Sequence, residues 1–127
     1  MIHVYGIKEK LDPIKAELSD IICACMAKAL GFPPEKRFHR FFPMASEDFY
    51  YADGRSDAYT VIEINMMAGR SPEAKKELIH LLFAVIEQKL GIAPIDVEIA
   101  ISEAPPCNFG FRGVSGDGAK LNYRVNV

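Results

Sequence analysis

The stretch PIKAELSDIICACMAKALGFPP (residues 13–34) recurs 60 positions later as EAKKELIHLLFAVIEQKLGIAP (residues 73–94). Seven of the 22 aligned positions are identical, including the leucine and glycine near the end of each copy. Most of the other positions pair one apolar residue with another. Two copies at this spacing indicate a duplicated unit rather than a longer repeat array.

Each copy has the pattern of an amphipathic helix. Apolar residues fall at three- and four-residue spacing from Leu18 to Ala29 in the first copy and from Leu78 to Val85 in the second. This spacing places them on one face of a helix, so both copies are predicted to pack against the same kind of surface.

The predicted helices have matching end signals. Asp12 and Ser71, each followed by a proline, are predicted to cap the N-termini. Gly31 and Gly91 are predicted to cap the C-termini, where a left-handed residue commonly ends a helix.

A stretch typical of a β-strand lies on each side of each helix. These strands are predicted at MIHVYG (1–6), RFHRFFP (37–43), YTVIEINMM (59–67) and VEIAISE (97–103). The sequence therefore predicts an α+β fold made of two βαβ units, with a four-stranded, mainly parallel or mixed sheet and both helices on one face.

The whole chain is expected to form one domain. Its predicted parts are repeat 1 (1–43), a connecting loop (44–58), repeat 2 (59–104) and a C-terminal turn and strand (105–127), with the strand or hairpin near Leu121–Val125. The face of the sheet away from the helices is expected to be apolar and to associate with copies of the chain. The residues expected on that face are Phe38, Phe42, Ile62, Ile64, Val97 and Ile99.

Composition excludes several classes of function. The net charge of −2 gives no basic footprint for nucleic acid, and no apolar run reaches the roughly 18 residues that a membrane span needs. The first residues carry no signal-peptide pattern, so a soluble, cytoplasmic protein is expected. Three cysteines without C-x-x-C spacing predict neither a disulfide framework nor a zinc site. No metal and no cofactor are expected.

Three segments carry a resemblance to a known family: GRSPEAKK (69–76), LGIAPIDVEIAI (90–101) and NFGFRG (108–113). With the duplicated unit, they make the chain similar to the tautomerase superfamily, which includes 4-oxalocrotonate tautomerase, malonate semialdehyde decarboxylase and macrophage migration inhibitory factor. The resemblance implies a homotrimer and an active site whose base is the amine of an N-terminal proline.

The chain departs from that family pattern at three positions. Ile2 stands where the proline is expected, so Met1 is predicted to be retained and to supply a primary amine as the base. Lys36 aligns with an acidic residue of the decarboxylases, and Ala68 aligns near one of their two arginines. An α-amine has an ordinary pKa near 7.7 to 8.0, which burial and nearby guanidinium groups lower toward the range of an effective general base.

Arg70 is the predicted partner of the Met1 amine in catalysis. It matches the other arginine of the decarboxylases and lies where the second helix begins, a position that favours anions. It is predicted to bind the carboxylate of a small substrate through two parallel hydrogen bonds. The alternative is an exposed arginine that pairs with Glu73 or Asp57.

Five further residues are predicted to bind the substrate: His39, Arg40, Phe109, Phe111 and Arg112. The first two lie on opposite faces of the second strand, and the last three belong to the turn that lines the pocket in the family. The alternatives are a half-buried strand histidine, an interface salt bridge for Arg40, and core or interface packing for the two phenylalanines.

Two functions follow from the resemblance. In the first, the protein is a tautomerase that interconverts the enol and keto forms of a small 2-oxo acid by means of the Met1 amine and Arg70. In the second, it is a non-catalytic trimer that keeps the scaffold and binds a metabolite or another protein, because the proline base is absent. A small carboxylate-bearing molecule and the chain itself are the expected partners.

Overall fold

The chain folds into a four-stranded sheet and a layer of helices that covers one face of it. The computed structural model describes residues 1–127. The elements are β1 (Ile2–Ile7), α1 (Lys8–Leu11), α2 (Lys15–Leu30), β2 (His39–Met44), β3 (Thr60–Met67), α3 (Pro72–Leu90), β4 (Val97–Ala104), β5 (Gly110–Phe111) and β6 (Val114–Ser115). None of the helices has the length and apolar character needed to cross a membrane.

The sheet has the strand order β2-β1-β3-β4. β1 runs parallel to β2, and β3 runs parallel to β4, as two βαβ units require. The units meet through the antiparallel pairing of β1 with β3 at the centre. This arrangement confirms the predicted α+β class, the duplicated βαβ unit and the mixed sheet.

The ends of the long helices follow the predicted signals in three of four cases. The Ser71 hydroxyl accepts a hydrogen bond from the Ala74 backbone N–H at 3.1 Å, which satisfies one of the free donors at the start of α3. Gly31 and Gly91 adopt φ of 65° and 69°, so each ends its helix in the left-handed conformation.

The predicted cap at Asp12 is wrong. The chain forms the single turn α1 after β1, and Asp12 closes that turn by donating its backbone N–H to the Lys8 carbonyl. Its carboxylate accepts hydrogen bonds from the ammonium groups of Lys8 at 2.6 Å and Lys15 at 2.9 Å. α2 therefore begins at Lys15, and Ile14, in the position before it, provides no side-chain cap.

Several residues predicted on the open face of the sheet lie instead on the face that packs on the helices. Ile62 and Ile64 pair across the sheet with Val4 and Ile2, and all four belong to the buried core beneath α2 and α3. Val97 is in the same core, and Ile99 packs against it. Four of the six residues expected on the open face thus point toward the helices, because the alternation of β3 is set by its pairing with β1.

The open face of the sheet is a mixture of aromatic and polar residues rather than an apolar surface. Phe42 is 40% exposed there and stacks on Tyr5, with ring centroids 4.9 Å apart. Glu63 and His3 are paired neighbours on the same face. This face therefore offers aromatic contacts surrounded by charged and polar groups.

The predicted strand near Leu121–Val125 is absent. The hairpin of this region lies earlier, at β5 and β6, and the last residues instead run across the start of α3. The Ser71 backbone N–H donates to the Val127 carbonyl at 2.7 Å. Gly69 has φ of 144°, and a Cβ there would lie 2.9 Å from Cγ1 of Val125, so the close approach of this segment requires glycine.

The core makes a specific prediction about stability. Ile62 has no exposed surface, and we expect Ile62→Ala to lower the free energy of unfolding by about 2–5 kcal/mol, through lost burial and the cavity that remains. Ile95 is 56% exposed, and we expect Ile95→Ala to change it by less than about 0.5 kcal/mol. Urea unfolding at equal chain concentration measures both, and equal losses would contradict this assignment of the core.

Candidate active site

The predicted site residues come from elements that end at one edge of the sheet. Ile2 pairs with both His39 and Ile64, so the beginnings of β1 and β2 lie beside the end of β3. β4 runs parallel to β3 and ends with it. The chain start, the segment from β3 to α3 and the turn after β4 therefore converge on this edge.

The first residue is held as part of the sheet. The Met1 amine donates to the Asn65 carbonyl at 2.8 Å, and the Asn65 backbone N–H donates to the Met1 carbonyl, also at 2.8 Å. Burial, and then the positive charges of Arg40 and Arg70, lower the pKa of the Met1 amine below its ordinary value of 8.0. At neutral pH, a larger fraction of this amine than of an ordinary α-amine is therefore uncharged and able to accept a proton.

Arg70 is a buried cation without a carboxylate partner. It is 6% exposed, and its Nη1 donates to the Met67 carbonyl at 3.1 Å, while its Nε is buried with no partner. Burial lowers the pKa of this guanidinium. The exposed alternative is excluded, since Arg70 forms no ion pair with Glu73 or Asp57. Its Nη2 is neither enclosed nor hydrogen-bonded within the chain, so this nitrogen can meet a ligand.

His39 is half-buried at the start of β2. Its Nδ1 lies 2.8 Å from the Ser19 hydroxyl, and its Nε2 has no protein partner. Burial is the largest cause that lowers the pKa of His39 to about 4, followed by the positive charges of Arg37 and of the Met1 amine. The imidazole is therefore neutral at physiological pH.

The turn after β4 contributes the three predicted residues at its centre. Phe109 leads into the hairpin, Phe111 lies in β5, and Arg112 adopts φ of 54° at the bend. The Arg112 guanidinium lies 5.1 Å from the centroid of the Phe111 ring and donates to the Lys120 carbonyl at 3.0 Å. The bend thus holds a cation beside an aromatic wall.

One cavity of about 410 Å³ is lined by all seven residues predicted for the site, namely Met1, His39, Arg40, Arg70, Phe109, Phe111 and Arg112. The structure brings these side chains together, while their roles remain predictions. The lining also contains residues that the sequence did not identify as site residues: Cys23, Met26 and Phe32 from α2 and its end, Phe38 before β2, Asn65, Met66 and Met67 from β3, and Leu121 and Tyr123 from the last segment.

Some of the missed residues carried a signal in the sequence. Met66 and Met67 end an otherwise strongly alternating strand, which is where side chains reach a pocket in βαβ units. Tyr123 carried none, because its place depends on how the last segment packs. Its ring contacts Phe32 edge-on, with centroids 4.9 Å apart, and lies 4.9 Å from Nζ of Lys36.

Every charged group that lines the cavity is positive. Lys36, Arg40, Arg70, Arg112 and the Met1 amine line it, and no aspartate or glutamate does. None of the four side chains forms a salt bridge, whereas six other lysines and arginines of the chain do. An anionic ligand would neutralise this charge. No group of three or more His, Cys, Asp or Glu side chains is placed to hold a metal ion.

The state of His39 is testable by NMR titration. We expect its ring C–H resonances to keep the position of a neutral imidazole from pH 8 down to about 5.5, since burial and two neighbouring cations oppose protonation. His39→Gln identifies the resonances by removing them. A protonation midpoint between about 6 and 7 would show that the imidazole is solvated and far from those charges.

The family and the structural neighbours agree with this architecture. Residues 36–112 match the family model described as tautomerase enzyme. A malonate semialdehyde decarboxylase, described with decarboxylase and hydratase activities, superposes with a TM-score of 0.79 at 23% identity, covering 87% of this chain and 89% of its own. A fused 4-OT asymmetric trimer superposes with a TM-score of 0.80 at 23% identity, covering 91% of this chain and 95% of its own. N1, a member of the cis-3-chloroacrylic acid dehalogenase family, superposes with a TM-score of 0.79 at 17% identity, covering 90% of this chain and 81% of its own. This protein belongs to the tautomerase family.

Proposed function

We propose that this protein interconverts the enol and keto forms of a small 2-oxo acid. The observation that supports this most directly is that the Met1 amine, with its lowered pKa, and the buried, unpaired Arg70 line the same cavity. One group can move a proton, and the other can hold a carboxylate. No further group is needed for a 1,3-proton transfer.

Arg70 is proposed to bind the substrate carboxylate. Its Nη1 donates to the Met67 carbonyl, and its Nη2 forms no hydrogen bond within the chain and is not enclosed by it. A planar guanidinium with free donors suits a carboxylate, which can accept two parallel hydrogen bonds. Such a contact would also relieve the cost of burying an arginine without a partner.

The Met1 amine is proposed to carry the proton. In the direction of ketonisation, the neutral amine accepts the proton of the enol hydroxyl, and the carbon–carbon double bond shifts its electrons toward C3. The resulting ammonium group delivers the same proton to C3 and becomes neutral again. The pair of hydrogen bonds with Asn65 fixes the position of the amine throughout.

The other predicted residues are proposed to shape the binding site. Phe109 and Phe111 provide an apolar wall that excludes water and so strengthens the electrostatic contacts. Arg40 and Arg112 add positive charge around an anionic substrate, and His39 faces it as a neutral group. The proposed ligand is therefore a small carboxylate-bearing molecule, bound without a cofactor.

We further propose that the protein is a cytoplasmic homotrimer. The fused 4-OT neighbours are trimers, and the open face of the sheet presents Phe42 and Tyr5 among polar groups. Arg40 is exposed beside that face and has no carboxylate partner within the chain. Assembly would let a neighbouring subunit pair with it or share its cavity.

A second candidate is a trimer that binds a small anion without catalysis. The observation in its favour is the first residue itself, because Ile2 stands where the proline is expected, and Met1 offers a primary α-amine beside a flexible side chain. Met1 is 55% exposed and lines the cavity, so its side chain takes up space that a substrate could use. Both candidates use Arg70 as the anion site.

Ketonisation of phenylenolpyruvate, followed by ultraviolet absorbance, tests the enzymatic proposal. We expect Arg70→Met to lower kcat/KM by about a hundredfold or more, because it removes the carboxylate contact while keeping a side chain of similar length. Arg124→Met, an exposed arginine outside the cavity, is the matched control and should leave the rate unchanged. An equal loss in both variants would contradict the role of Arg70.

The stability of Arg70→Met separates a functional arginine from a structural one. Replacing a buried, unpaired charge by an apolar side chain is expected to leave the thermal midpoint unchanged or to raise it. Lower activity with unchanged or higher stability therefore supports a binding role. A loss of both would indicate that Arg70 supports the fold.

The role of the amine is tested by a Gly-Ser extension ahead of Met1. The extension converts the amine into an amide, so we expect ketonisation to fall to the rate of the uncatalysed reaction. Intact mass must first show a free Met1 in the unextended protein. Activity that survives the extension would exclude amine catalysis and favour the binding trimer.

The pH dependence follows from the lowered pKa of the amine. The neutral form is the one that accepts the proton, so kcat/KM should fall as the pH falls through that pKa and should level off above it. Because burial, Arg40 and Arg70 hold that pKa below 8.0, we expect the midpoint of this rise to lie below pH 8. A midpoint at pH 8 or above would mean that the pKa of the amine is not lowered.

A further inference from the structure

Ser19 and His39 form a half-buried polar contact where α2 packs on the sheet. Ser19 is buried on α2, and its neighbours Leu18, Ile21 and Ile22 belong to the core. Its hydroxyl lies 2.8 Å from Nδ1 of His39, which lines the cavity. A serine within a helix commonly bonds to the backbone of the preceding turn, whereas this one reaches across to β2.

The donors around Ser19 favour one direction of this hydrogen bond. Nη1 of Arg37 lies 3.5 Å from the Ser19 hydroxyl oxygen and 2.6 Å from the Asp20 carboxylate, so Arg37 is anchored with a donor toward Ser19. An arginine cannot accept a hydrogen bond. The Ser19 oxygen therefore accepts from Arg37, which leaves its own proton free to be donated to Nδ1 of His39.

A ring nitrogen that accepts a hydrogen bond carries no proton. With Nδ1 as the acceptor, the proton of the neutral imidazole is on Nε2. Nε2 has no partner in the protein and is not enclosed by it. The free N–H is therefore on the ring nitrogen that does not contact Ser19. His39 lines the same cavity as the Met1 amine and Arg70.

We propose that Arg37 and Ser19 hold His39 as its Nε2–H tautomer, and that Nε2–H donates a hydrogen bond to the 2-oxygen of the bound 2-oxo acid. The inference rests on the proposed function and adds a residue role to it. His39 is then a catalytic residue, and Ser19 and Arg37 are positioning residues.

The chemical effect of this hydrogen bond is greatest when charge develops on the substrate. As the enol hydroxyl loses its proton to the amine, negative charge builds on the 2-oxygen, and a fixed N–H donor stabilises it. A neutral imidazole holds its proton firmly, so the donor stays in place through the reaction and no net proton leaves His39. Burial first, and then the positive charge of Arg37, keep the ring in this neutral state.

NMR of protein labelled with ¹⁵N-histidine tests the tautomer directly. We expect Nδ1 of His39 to resonate as an unprotonated nitrogen and Nε2 as a protonated one. Ser19→Ala should populate the other tautomer, and Ser19→Thr, which keeps the hydroxyl, should restore the original one. Ser102→Ala, an exposed serine on β4, is the control that should change nothing.

Oxamate, an unreactive analogue of a 2-oxo acid, tests the contact with the ligand. Saturating oxamate should shift the Nε2–H resonance of His39 in the wild-type protein. In the ketonisation assay, we expect Ser19→Ala to lower kcat about tenfold and His39→Leu about a hundredfold, with KM changed by less than about threefold. Ser19→Thr should recover most of the rate.

Two results would overturn the inference: an Nδ1–H tautomer in the wild-type protein, or an Nε2–H resonance that oxamate leaves unchanged. The NMR measurements do not depend on turnover. A protein that lacks ketonisation activity but shows the Nε2–H tautomer and its response to oxamate would contradict the proposed enzymatic function and still support the ligand contact of His39.

Discussion

The antiparallel pairing of β1 with β3 is the constraint on which the rest of the structure depends. It joins the two βαβ units, sets which side of β3 faces the helices, and continues to the first residue, where Met1 and Asn65 exchange two hydrogen bonds. Because the strands run in opposite directions, the beginning of β1 meets the end of β3. The chain start and the segment that contains Arg70 therefore lie at one edge of the sheet, and the cavity forms between them.

The second organising feature is the positive charge around the cavity, which no carboxylate of the lining neutralises. Burying Arg70 without a carboxylate costs free energy, as does placing further cations around the same apolar cavity. The core beneath the helices offsets that cost, since strands and helices share one continuous apolar cluster. Burial, followed by the charges of Arg40 and Arg70, also lowers the pKa of the Met1 amine and so prepares it to accept a proton. Burial, followed by the charge of Arg37, lowers the pKa of His39 and keeps its imidazole neutral.

Local patterns predicted the parts of the fold that depend on local physics. The duplication, the helix at Ser71 and the glycines at 31 and 91 follow from spacing and capping chemistry. The patterns failed where tertiary contacts decide the structure. Asp12 binds two lysines instead of capping α2, and the pairing of β3 with β1 turns Ile62 and Ile64 toward the helices. The last segment packs over Gly69 instead of forming a strand. Arg70 and the aromatic turn were found through the family resemblance, whereas the contact between Ser19 and His39 required the packing of α2 on β2.

The most direct test of the account is whether a bound 2-oxo acid meets the Met1 amine. Pyruvate and cyanoborohydride trap such an encounter, because the amine and the ketone lose water to form an imine that is then reduced to a stable secondary amine. Near neutral pH, we expect mass spectrometry to find the label on Met1 ahead of the lysines, and we expect Arg70→Met to remove this preference. Label spread over the lysines, or labelling of Met1 that is indifferent to Arg70, would contradict a shared site.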